Sequence, residues 1–566
     1  MQLVIAKRAT IAKPKETNMK YRFLTIALMA ALTAQIAAAQ GRDSTIAGAT
    51  VPSAVRDTLK AAGGALGMEF RGNADNIITA EFWGSGTMYS FGQAFLPGGE
   101  WPASKVADYH VSLDYSAPMS MRVDYVRSNP EGQIRGGGGL PLPAPQRVIQ
   151  VVSIDGNTRT KFAWNETEPG GGTITPALAA ARDRQFQFWT MTPHAVIKAA
   201  VDSGDLTKVS KTASGTVITF PLADASCRDA NVFKNTPDCQ NARLLLTVTL
   251  DAKNLVQKVE TRSNNPVLGD MVIETIYSDY KDLSEAKSGK VFPAHIVQKQ
   301  GGFPVLDLNI TKVDLDYPSI YIKVPDSVRA AAGQQLGFEP VKLTVKVDAN
   351  KVADGVWYLT GDTHHSVAVE FKDYVALVEC PQDEPRAMAV IAAVKQNIPN
   401  KPIRYVVNSH HHFDHLGGLR ACAAEGATIL TQAANKPYYE KIWAQPHTIM
   451  PDRLVKEKKK GIIEGVADKR VLTDGSRTVE LYKLTGTNHV DTMLIGYLPK
   501  EKVLIEADVY TPGPANAPAP ARPSPEAVNL YDQIQRLKLD VQQITPLHGR
   551  LVSIDDLRKA IGRSSD

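Results

Sequence analysis

The sequence has little net charge once its first residues are set aside. The 566 residues carry a formal charge of +5, but residues 1–39 contain six basic residues and one acidic residue. Without them the formal charge is about zero. The rest of the chain therefore lacks the basic character that nucleic-acid binding requires, and we expect a small-molecule substrate and no nucleic-acid partner.

Long apolar runs are also lacking. The apolar run at residues 23–34 follows a short basic start at residues 19–22 and precedes three alanines at residues 37–39. This is the layout of a bacterial secretory signal peptide, and the run is too short to span a bilayer comfortably. We expect residues 1–39 to be a signal peptide with an N-terminal extension, and the protein to be periplasmic or secreted without stable membrane insertion. A membrane anchor is the alternative.

Cysteine is scarce, with four residues in the chain. Cys227 and Cys239 lie close together in a polar stretch, and an oxidising periplasm would allow them to form a disulfide. Cys380 ends an apolar segment and Cys422 lies among small residues, so we expect both to be buried thiols.

The length and the apolar pattern indicate two domains. Between residues 75 and 320 apolar residues mostly alternate with polar ones, which is typical of antiparallel strands with one buried face. A helix over residues 192–202 is expected to cover one face of this sheet. We therefore predict a β-rich accessory domain at residues 40–338 and a second domain, in which strands and helices mix, at residues 341–566.

Two features of the first domain suggest a ligand but have simpler interpretations. Tyr277, Tyr280, Phe292 and Ile296 lie in a segment that resembles the curved sheet of lipoprotein-carrier-like domains, which implies an apolar ligand. A dimerisation or scaffolding sheet is the simpler alternative. The glycine-rich pieces at 136–139 and 170–172 lack the Lys-Ser/Thr ending of a phosphate-binding loop, so we interpret them as ordinary loops.

Four of the twelve histidines lie within residues 410–415, together with Asp414. The segment 403–407 before them is expected to be a buried strand, and Gly417 and Gly418 open a helix of small residues. Imidazoles and carboxylates are ligands that zinc prefers. Such side chains at the end of a buried strand predict a metal site.

The order His-His-His-Phe-Asp-His at residues 410–415 matches the HxHxDH motif and resembles the metallo-β-lactamase-fold superfamily. His489, Asp508 and His548 follow in the order of the superfamily's other ligands, each beside an apolar segment. The resemblance covers residues 341–566. It implies an α/β fold in which a C-terminal αββα sandwich is preceded by the mainly antiparallel β domain.

The same resemblance implies two Zn²⁺ ions per chain, and it divides their ligands into two sets. The first ion would be bound by His410, His412 and His489, the second by Asp414, His415 and His548, and Asp508 would bridge the two. A hydroxide between the ions would be the nucleophile. Turnover is expected to depend on Asp414.

Asp508 narrows the expected activity. One group of β-lactamases of this fold has a cysteine at the comparable place, whereas an aspartate resembles glyoxalase-II-like and lactonase-like hydrolases. Tyr510 resembles a lactonase tyrosine that donates a hydrogen bond to a substrate oxygen, and an ordinary strand-end tyrosine is the alternative. The resemblance favours hydrolysis of a lactone, lactam, ester or thioester. The alternatives are a β-lactamase proper, an iron-dependent sulfur oxidation, and an apolar-ligand-binding protein with a vestigial metal site.

Four neighbouring features have open roles. His411 is not a ligand in the superfamily and is expected to orient the loop or to contact solvent. The proline-rich run at 512–525 predicts a stiff loop, as a wall of the active-site mouth or as a linker. His364 and His365 are expected to face solvent, with a substrate contact as the alternative. The charged run 456–460 is interpreted as a solvated helix face.

Overall fold

The computed structural model describes most of the chain after its first fifty-one residues. The described ranges are 52–71, 74–116, 119–154, 161–213, 215–222, 244–316, 322–332, 345–361, 363–515, 517–518, 520 and 522–563. They belong to one compact unit, Ala49–Asp566. The expected signal peptide, the Cys227–Cys239 pair and the expected domain boundary near residue 340 lie outside the described residues. Among the described residues no helix is long and apolar enough to cross a membrane.

A short hairpin and a large antiparallel sheet form the first part of the described chain. The hairpin pairs β1 (Phe70–Arg71) with β2 (Ala74–Asp75). The sheet has thirteen strands within the described residues. They are β3 (Thr79–Tyr89), β4 (Ala103–Asp114), β5 (Met119–Ser128), β6 (Gln146–Ile154), β7 (Lys161–Glu168), β8 (Gly171–Pro176), β9 (Lys208–Thr212), β10 (Gly215–Leu222), β11 (Leu244–Leu250), β12 (Val256–Asn265), β13 (Gly269–Lys281), β14 (Phe292–Gln300) and β15 (Phe303–Leu315).

The sheet order explains which loops leave it together. The order is β8-β7-β6-β5-β4-β3-β15-β14-β13-β12-β11-β10-β9, and all described neighbours are antiparallel. The β3–β4 and β5–β6 loops therefore leave the same end of the sheet. Val111 and Leu113 on β4 are fully buried, as the alternating pattern predicts, and the polar residues Ser112 and Asp114 on the other face of the strand are buried as well.

Three helices cover one face of the sheet, and a fourth covers part of the other face. They are α1 (Ser53–Ala65), α2 (Ala181–Thr190), α3 (Pro193–Asp202) and α4 (Asp326–Ala332). Thr192 caps α3 by accepting a hydrogen bond from the Ala195 backbone, which confirms the helix expected at 192–202. Phe292 and Ile296, on the face marked out for an apolar ligand, are fully buried in the core that α1 to α3 share with the sheet. The chain's own helices fill that space.

Two further sheets form the C-terminal part of the described chain. The first contains β16 (Asp348–Ala353), β17 (Val356–Thr360), β18 (Ser366–Glu370), β19 (Val375–Val378), β20 (Ile403–Val407), β21 (Thr428–Gln432) and β22 (Ile462–Val466). The second contains β23 (Lys469–Thr473), β24 (Thr478–Leu484), β25 (Met493–Leu498), β26 (Val503–Glu506), β27 (Gln543–Pro546) and β28 (Val552–Ser553). In each sheet the order follows the chain.

Helices lie on the outer faces of these two sheets. The helices are α5 (Glu384–Asn397), α6 (Phe413–Leu416), α7 (Leu419–Ala424), α8 (Lys436–Trp443), α9 (Arg453–Lys456), α10 (Pro525–Arg536) and α11 (Ile554–Ala560). Val407 and Leu481 belong to one core between the sheets. A second core joins α5, α7 and α8 to the first sheet, and a third joins α10 and α11 to the second sheet. The domain is thus an αββα sandwich preceded by a β-rich region, as expected.

Two local expectations are wrong. Cys380 and Cys422 are buried as expected, but they form a disulfide. Cys380 follows β19 and Cys422 lies on α7, which packs against that region, and a linear pattern does not show which side chains meet. The charged run at 456–460 is exposed as expected, but α9 ends at Lys456, so most of the run is not helical.

Candidate metal centre

The loop that carries the histidine cluster follows β20 and is held by buried polar groups. The Asn408 backbone N–H donates to Leu430, continuing the pairing of β20 with β21. The Asn408 side chain donates to a Glu379 oxygen at 2.9 Å and to the His415 carbonyl at 3.2 Å. Tyr439 donates its hydroxyl hydrogen to the Asn408 side-chain oxygen. These groups fix the loop before any metal binds.

The structure brings all seven expected ligands together and adds an eighth residue. Two groups of four side chains each have ligand atoms within 4.8 Å of one another. The first group is His410, His412, His489 and Asp508, and the second is His364, Asp414, His415 and His548. The grouping matches the two expected ligand sets, with Asp508 beside the first and His364 added to the second. That these residues bind metal ions stays a prediction.

The Asp508 carboxylate lies between the two groups. Its oxygens lie 3.3 Å from the His410 Nε2, 2.9 Å from the His489 Nε2, 3.2 Å from the His415 Nε2 and 2.8 Å from the His548 Nε2. This position, between imidazoles of both sets, is the one that a bridging ligand would occupy. Asp508 follows β26 and adopts φ +62°, a strained conformation for a non-glycine residue.

Three imidazoles are oriented by a hydrogen bond from one ring nitrogen to an oxygen. His415 donates from Nδ1 to Glu379 at 3.0 Å, and His548 donates from Nδ1 to the Thr363 carbonyl at 2.9 Å. His412 donates from Nε2 to the Ala94 carbonyl at 3.0 Å. Each bond turns the other ring nitrogen toward the cluster, and in the neutral ring that nitrogen would carry no hydrogen, as in metal-binding histidines.

The charges of the cluster are strongly coupled. Burial alone would lower the pKa of His415, but the carboxylates of Asp508, Asp414 and Glu379 raise it well above its usual value. Burial and the neighbouring His415 lower the pKa of His410 well below its usual value. For Asp508 burial acts to raise the pKa, but the imidazoles of His415 and His489 outweigh it and hold the pKa well below the usual range. For Asp414 burial again acts to raise the pKa, but His415 and His364 outweigh it and lower the pKa. The carboxylates of Asp414 and Asp508 are therefore available as anionic ligands.

The neighbouring histidines have structural partners. His411 is buried and contacts the Thr492 hydroxyl and the Ala94 carbonyl, both at 2.9 Å, so it orients the loop. The expectation that His364 and His365 face solvent is wrong. His365 is buried against the Tyr358 hydroxyl at 2.6 Å, and the His364 Nε2 lies 3.0 Å from an Asp414 oxygen.

Tyr510 lies in the apolar core between α10 and the second sheet. Its side chain is 8% exposed, and burial raises the pKa of its hydroxyl to about 12. Thr511, the next residue, lines the cavity beside the two groups of candidate ligands. Tyr510 does not line this cavity. The structure thus favours the ordinary strand-end interpretation of Tyr510 over the catalytic one.

A cavity of about 1340 Å³ opens onto both groups. Asp414, His489, Asp508 and His548 line its floor. One wall comes from the described residues Thr511, Pro520, Arg522, Pro523, Ser524, Pro525 and Glu526, so three prolines of the proline-rich run line the mouth. The other wall comes from residues 129–143 in the β5–β6 loop and includes the glycine-rich piece 136–139.

The β-rich region contributes contacts that the sequence patterns did not indicate. Gln93 in the β3–β4 loop donates from Nε2 to an Asp414 oxygen at 2.8 Å. A Cβ atom on Gly137 would lie 2.7 Å from the His412 Cε1 and 2.9 Å from the His489 Cε1. The glycine-rich piece was the one sequence signal in this region, and it was interpreted as an ordinary loop.

The match to a protein-family model agrees with the fold of the C-terminal part. Residues 359–529 match the family model of the metallo-β-lactamase superfamily. A metallo-β-lactamase from Pontibacter korlensis aligns with 18% identity over 38% of this chain and 98% of its own, at a TM-score of 0.30. No curated protein matches the chain.

Solved structures with other activities align over the same share of the chain. The rubredoxin oxygen:oxidoreductase of Desulfovibrio gigas has 20% identity over 38% of this chain and 61% of its own, at a TM-score of 0.30. A stereoselective inverting sec-alkylsulfatase from a Pseudomonas species has 18% identity over 38% of this chain and 40% of its own, at a TM-score of 0.29.

Proposed function

We propose that the metallo-β-lactamase-fold domain is a metal-dependent hydrolase that acts on a lactone, lactam, ester or thioester carbonyl of a small molecule. The observation that carries the proposal is the pair of four-residue groups, joined by Asp508, that opens into the cavity. Two Zn²⁺ ions are the cofactors that the donor set favours, because it consists of imidazoles and carboxylates without thiolate.

The residues present fit such cations. The Nε2 atoms of His410 and His489 lie 3.2 Å apart, and those of His415 and His548 lie 3.3 Å apart. His415 and His548 each donate a hydrogen bond from Nδ1. Their Nε2 atoms face each other, and two lone pairs at this distance repel unless a proton or a cation lies between them. When bound, two divalent ions polarise a carbonyl oxygen and make water acidic enough to attack at neutral pH.

Residues around the cluster orient the candidate ligands and form the space for the substrate. Glu379 and the Thr363 carbonyl fix the ring orientations of His415 and His548, so no reorganisation is needed when substrate arrives. The cavity walls, built from two proline- and glycine-containing loops, leave room for a small molecule beside Asp508 and Asp414. Arg522 is the one arginine or lysine among the described lining residues, and it offers an anionic substituent a partner at the mouth.

The proposal includes export to the periplasm or the medium. It is supported by the signal-peptide pattern of residues 1–39 and by the Cys380–Cys422 disulfide, since disulfides persist in oxidising compartments. Fractionation of cells that express the full chain should find the protein, shortened by the signal peptide, outside the cytoplasm. A full-length cytoplasmic product would contradict export.

A turnover screen of the zinc-loaded protein tests the activity. Suitable substrates are nitrocefin, acyl-homoserine lactones and aryl thioesters, with aryl phosphoesters and a sulfur-oxidation assay as comparisons. We expect hydrolysis of at least one carbonyl substrate and its loss in Asp414→Ala. Sulfur oxidation by an iron-loaded protein, with no carbonyl hydrolysis by the zinc-loaded one, would contradict the proposal.

A further inference from the structure

We propose that Gln93 is a positioning residue of the metal centre. Through Gln93 the β-rich region would contribute to metal binding by the C-terminal domain. The inference rests on the proposed metal binding. Gln93 lies in the β3–β4 loop, 321 residues before Asp414 in the chain, and its Nε2 donates to the Asp414 Oδ1 at 2.8 Å. It belongs to neither group of candidate ligands.

The bond leaves the other Asp414 oxygen for the metal. The Asp414 Oδ2 lies 3.0 Å from the His364 Nε2 and 3.7 Å from the His415 Nε2, so it faces the second group. One carboxylate oxygen is thus held by an amide while its partner points at the other candidate ligands. A carboxylate ligand with its free oxygen held in this way keeps one orientation, and such outer contacts tune metal affinity.

The orientation of the Gln93 amide follows from its second partner. The Gly138 backbone N–H donates to the Gln93 Oε1 at 2.9 Å. A backbone N–H can only donate, so the amide oxygen must face Gly138 and the NH₂ group must face Asp414. The Gly137 N–H donates to the Gln93 carbonyl at 3.0 Å, so the glycine-rich piece holds both ends of the residue.

The loop that carries Gln93 packs directly on residues 410–415, which are called the metal loop below. A Cβ atom on Gly92 would lie 2.3 Å from the Phe413 ring, and Gly92 has φ +71°, so this position requires glycine. The rings of Phe91 and Phe413 meet edge to face at 5.2 Å. The Ala94 carbonyl accepts hydrogen bonds from His411 and His412. Residues 91–94 therefore contact the metal loop from both sides of Gln93.

Zinc binding by the full chain tests the proposal. Zinc affinities are measured by competition with a chromogenic chelator, and the absorption spectrum of Co²⁺-substituted protein reports ligand geometry. The variants are Gln93→Met, which is similar in length but has no donor, and Gln93→Glu, which still accepts from Gly138 but cannot donate to Asp414. The equivalent of zinc that is lost in Asp414→Ala identifies the second site.

We expect both variants to bind this equivalent about tenfold or more weakly, with an altered Co²⁺ spectrum and the other equivalent unchanged. The matched control is Gln133→Met. Gln133 also bonds across to the C-terminal domain, to the Asn488 side chain at 2.9 Å, but touches no candidate ligand. The Gln133→Met variant should bind zinc as the wild type does.

Three results would overturn the inference. Wild-type zinc affinity and Co²⁺ spectrum in Gln93→Glu would show that the bond to Asp414 does not matter. An equal loss in the Gln133→Met control would assign the effect to domain packing. Normal binding in Gln93→Met would exclude any role of the amide. If the wild-type chain itself bound no metal, the proposed function would fail first, so the two failures are distinguishable.

Discussion

The Glu379 carboxylate accepts a 3.0 Å hydrogen bond from the His415 Nδ1, and both side chains are fully buried. Asn408 donates to the other Glu379 oxygen at 2.9 Å. The bond fixes which nitrogen of His415 faces the cluster. Glu379 thus orients the candidate ligand His415 from the side away from the cluster. Gln93 orients Asp414 in the same way from the β-rich region.

Replacing Glu379 with glutamine tests this relationship. Glutamine keeps the shape but can turn an NH₂ group toward His415, which disturbs the ring's tautomer. Glu379→Gln should weaken zinc binding by about 10- to 100-fold and lower kcat/KM. Chelator competition measures the affinity. The control is Glu501→Gln, which breaks the 3.0 Å ion pair with Arg477 far from the cluster and should leave zinc affinity unchanged. Wild-type affinity in Glu379→Gln would contradict the assignment.

A methyl group at Gly137 should disturb the first ligand group. Its Cβ would lie 2.2 Å from the Gln93 Oε1 and within 3 Å of the His412 and His489 rings, closer than real contacts allow. Gly137→Ala should therefore displace these rings and reduce zinc binding at the first site at least about tenfold. Isothermal titration with zinc measures the change. Gly171→Ala, where a Cβ meets open space, should behave as wild type.

The Cys380–Cys422 disulfide should stabilise the domain that carries the metal loop. It closes a segment with a sequence separation of 42, for which chain entropy gives about 4 kcal/mol. The Cys380→Ala/Cys422→Ala double variant should lose a large part of this free energy in urea unfolding. Peptide mapping without reduction should recover the linked pair. Two free thiols at these positions in the purified protein would contradict the pairing.

His194 should make the β-rich region sensitive to acid. Burial is the main cause that lowers its pKa from 6.5 to about 3 in the folded protein. Lys198 and Lys290 act in the same direction, against a hydrogen bond to the Leu66 carbonyl. The unfolded chain therefore binds a proton between about pH 6.5 and 3 that the folded chain does not, so stability is lost as the pH falls through this range.

Urea unfolding at pH 7 and pH 5, with chelator present, measures the effect. Between these values the wild type should lose about 2 kcal/mol more than His194→Asn, whose amide does not ionise there. Equal losses in the two proteins would contradict the buried, neutral state of His194. Because both proteins carry the same metal cluster, its titration cancels in the comparison.

The candidate ligands were predictable because each lies in a short local pattern. Residues 410–415 follow a β-branched strand, and Asp508 follows another, so their placement needs only local rules and the superfamily's order. Gln93 and His364 carry no such pattern. Their roles come from tertiary contacts, across 321 residues for Gln93 and Asp414 and across 50 for His364 and Asp414.

The features that the sequence left open or did not show have the same origin. The sequence shows that Tyr510 follows Asp508 closely, but the side chain packs into the apolar core under α10 while Thr511 reaches the cavity. Cys380 and Cys422 were correctly expected to be buried, yet pairing depends on how α7 packs beside β19. The need for glycine within residues 136–139 becomes visible only in the folded protein, where Gly137 lies against the rings of His412 and His489.

Metal analysis of the purified chain tests the central claim most directly. After loading with zinc and dialysis, elemental analysis should find about two equivalents in the wild type and about one in Asp414→Ala. Circular dichroism should show that both proteins are folded. A folded wild-type protein that retains no zinc, or that is purified with one iron and does not exchange it for zinc, would contradict a binuclear zinc centre formed by these side chains.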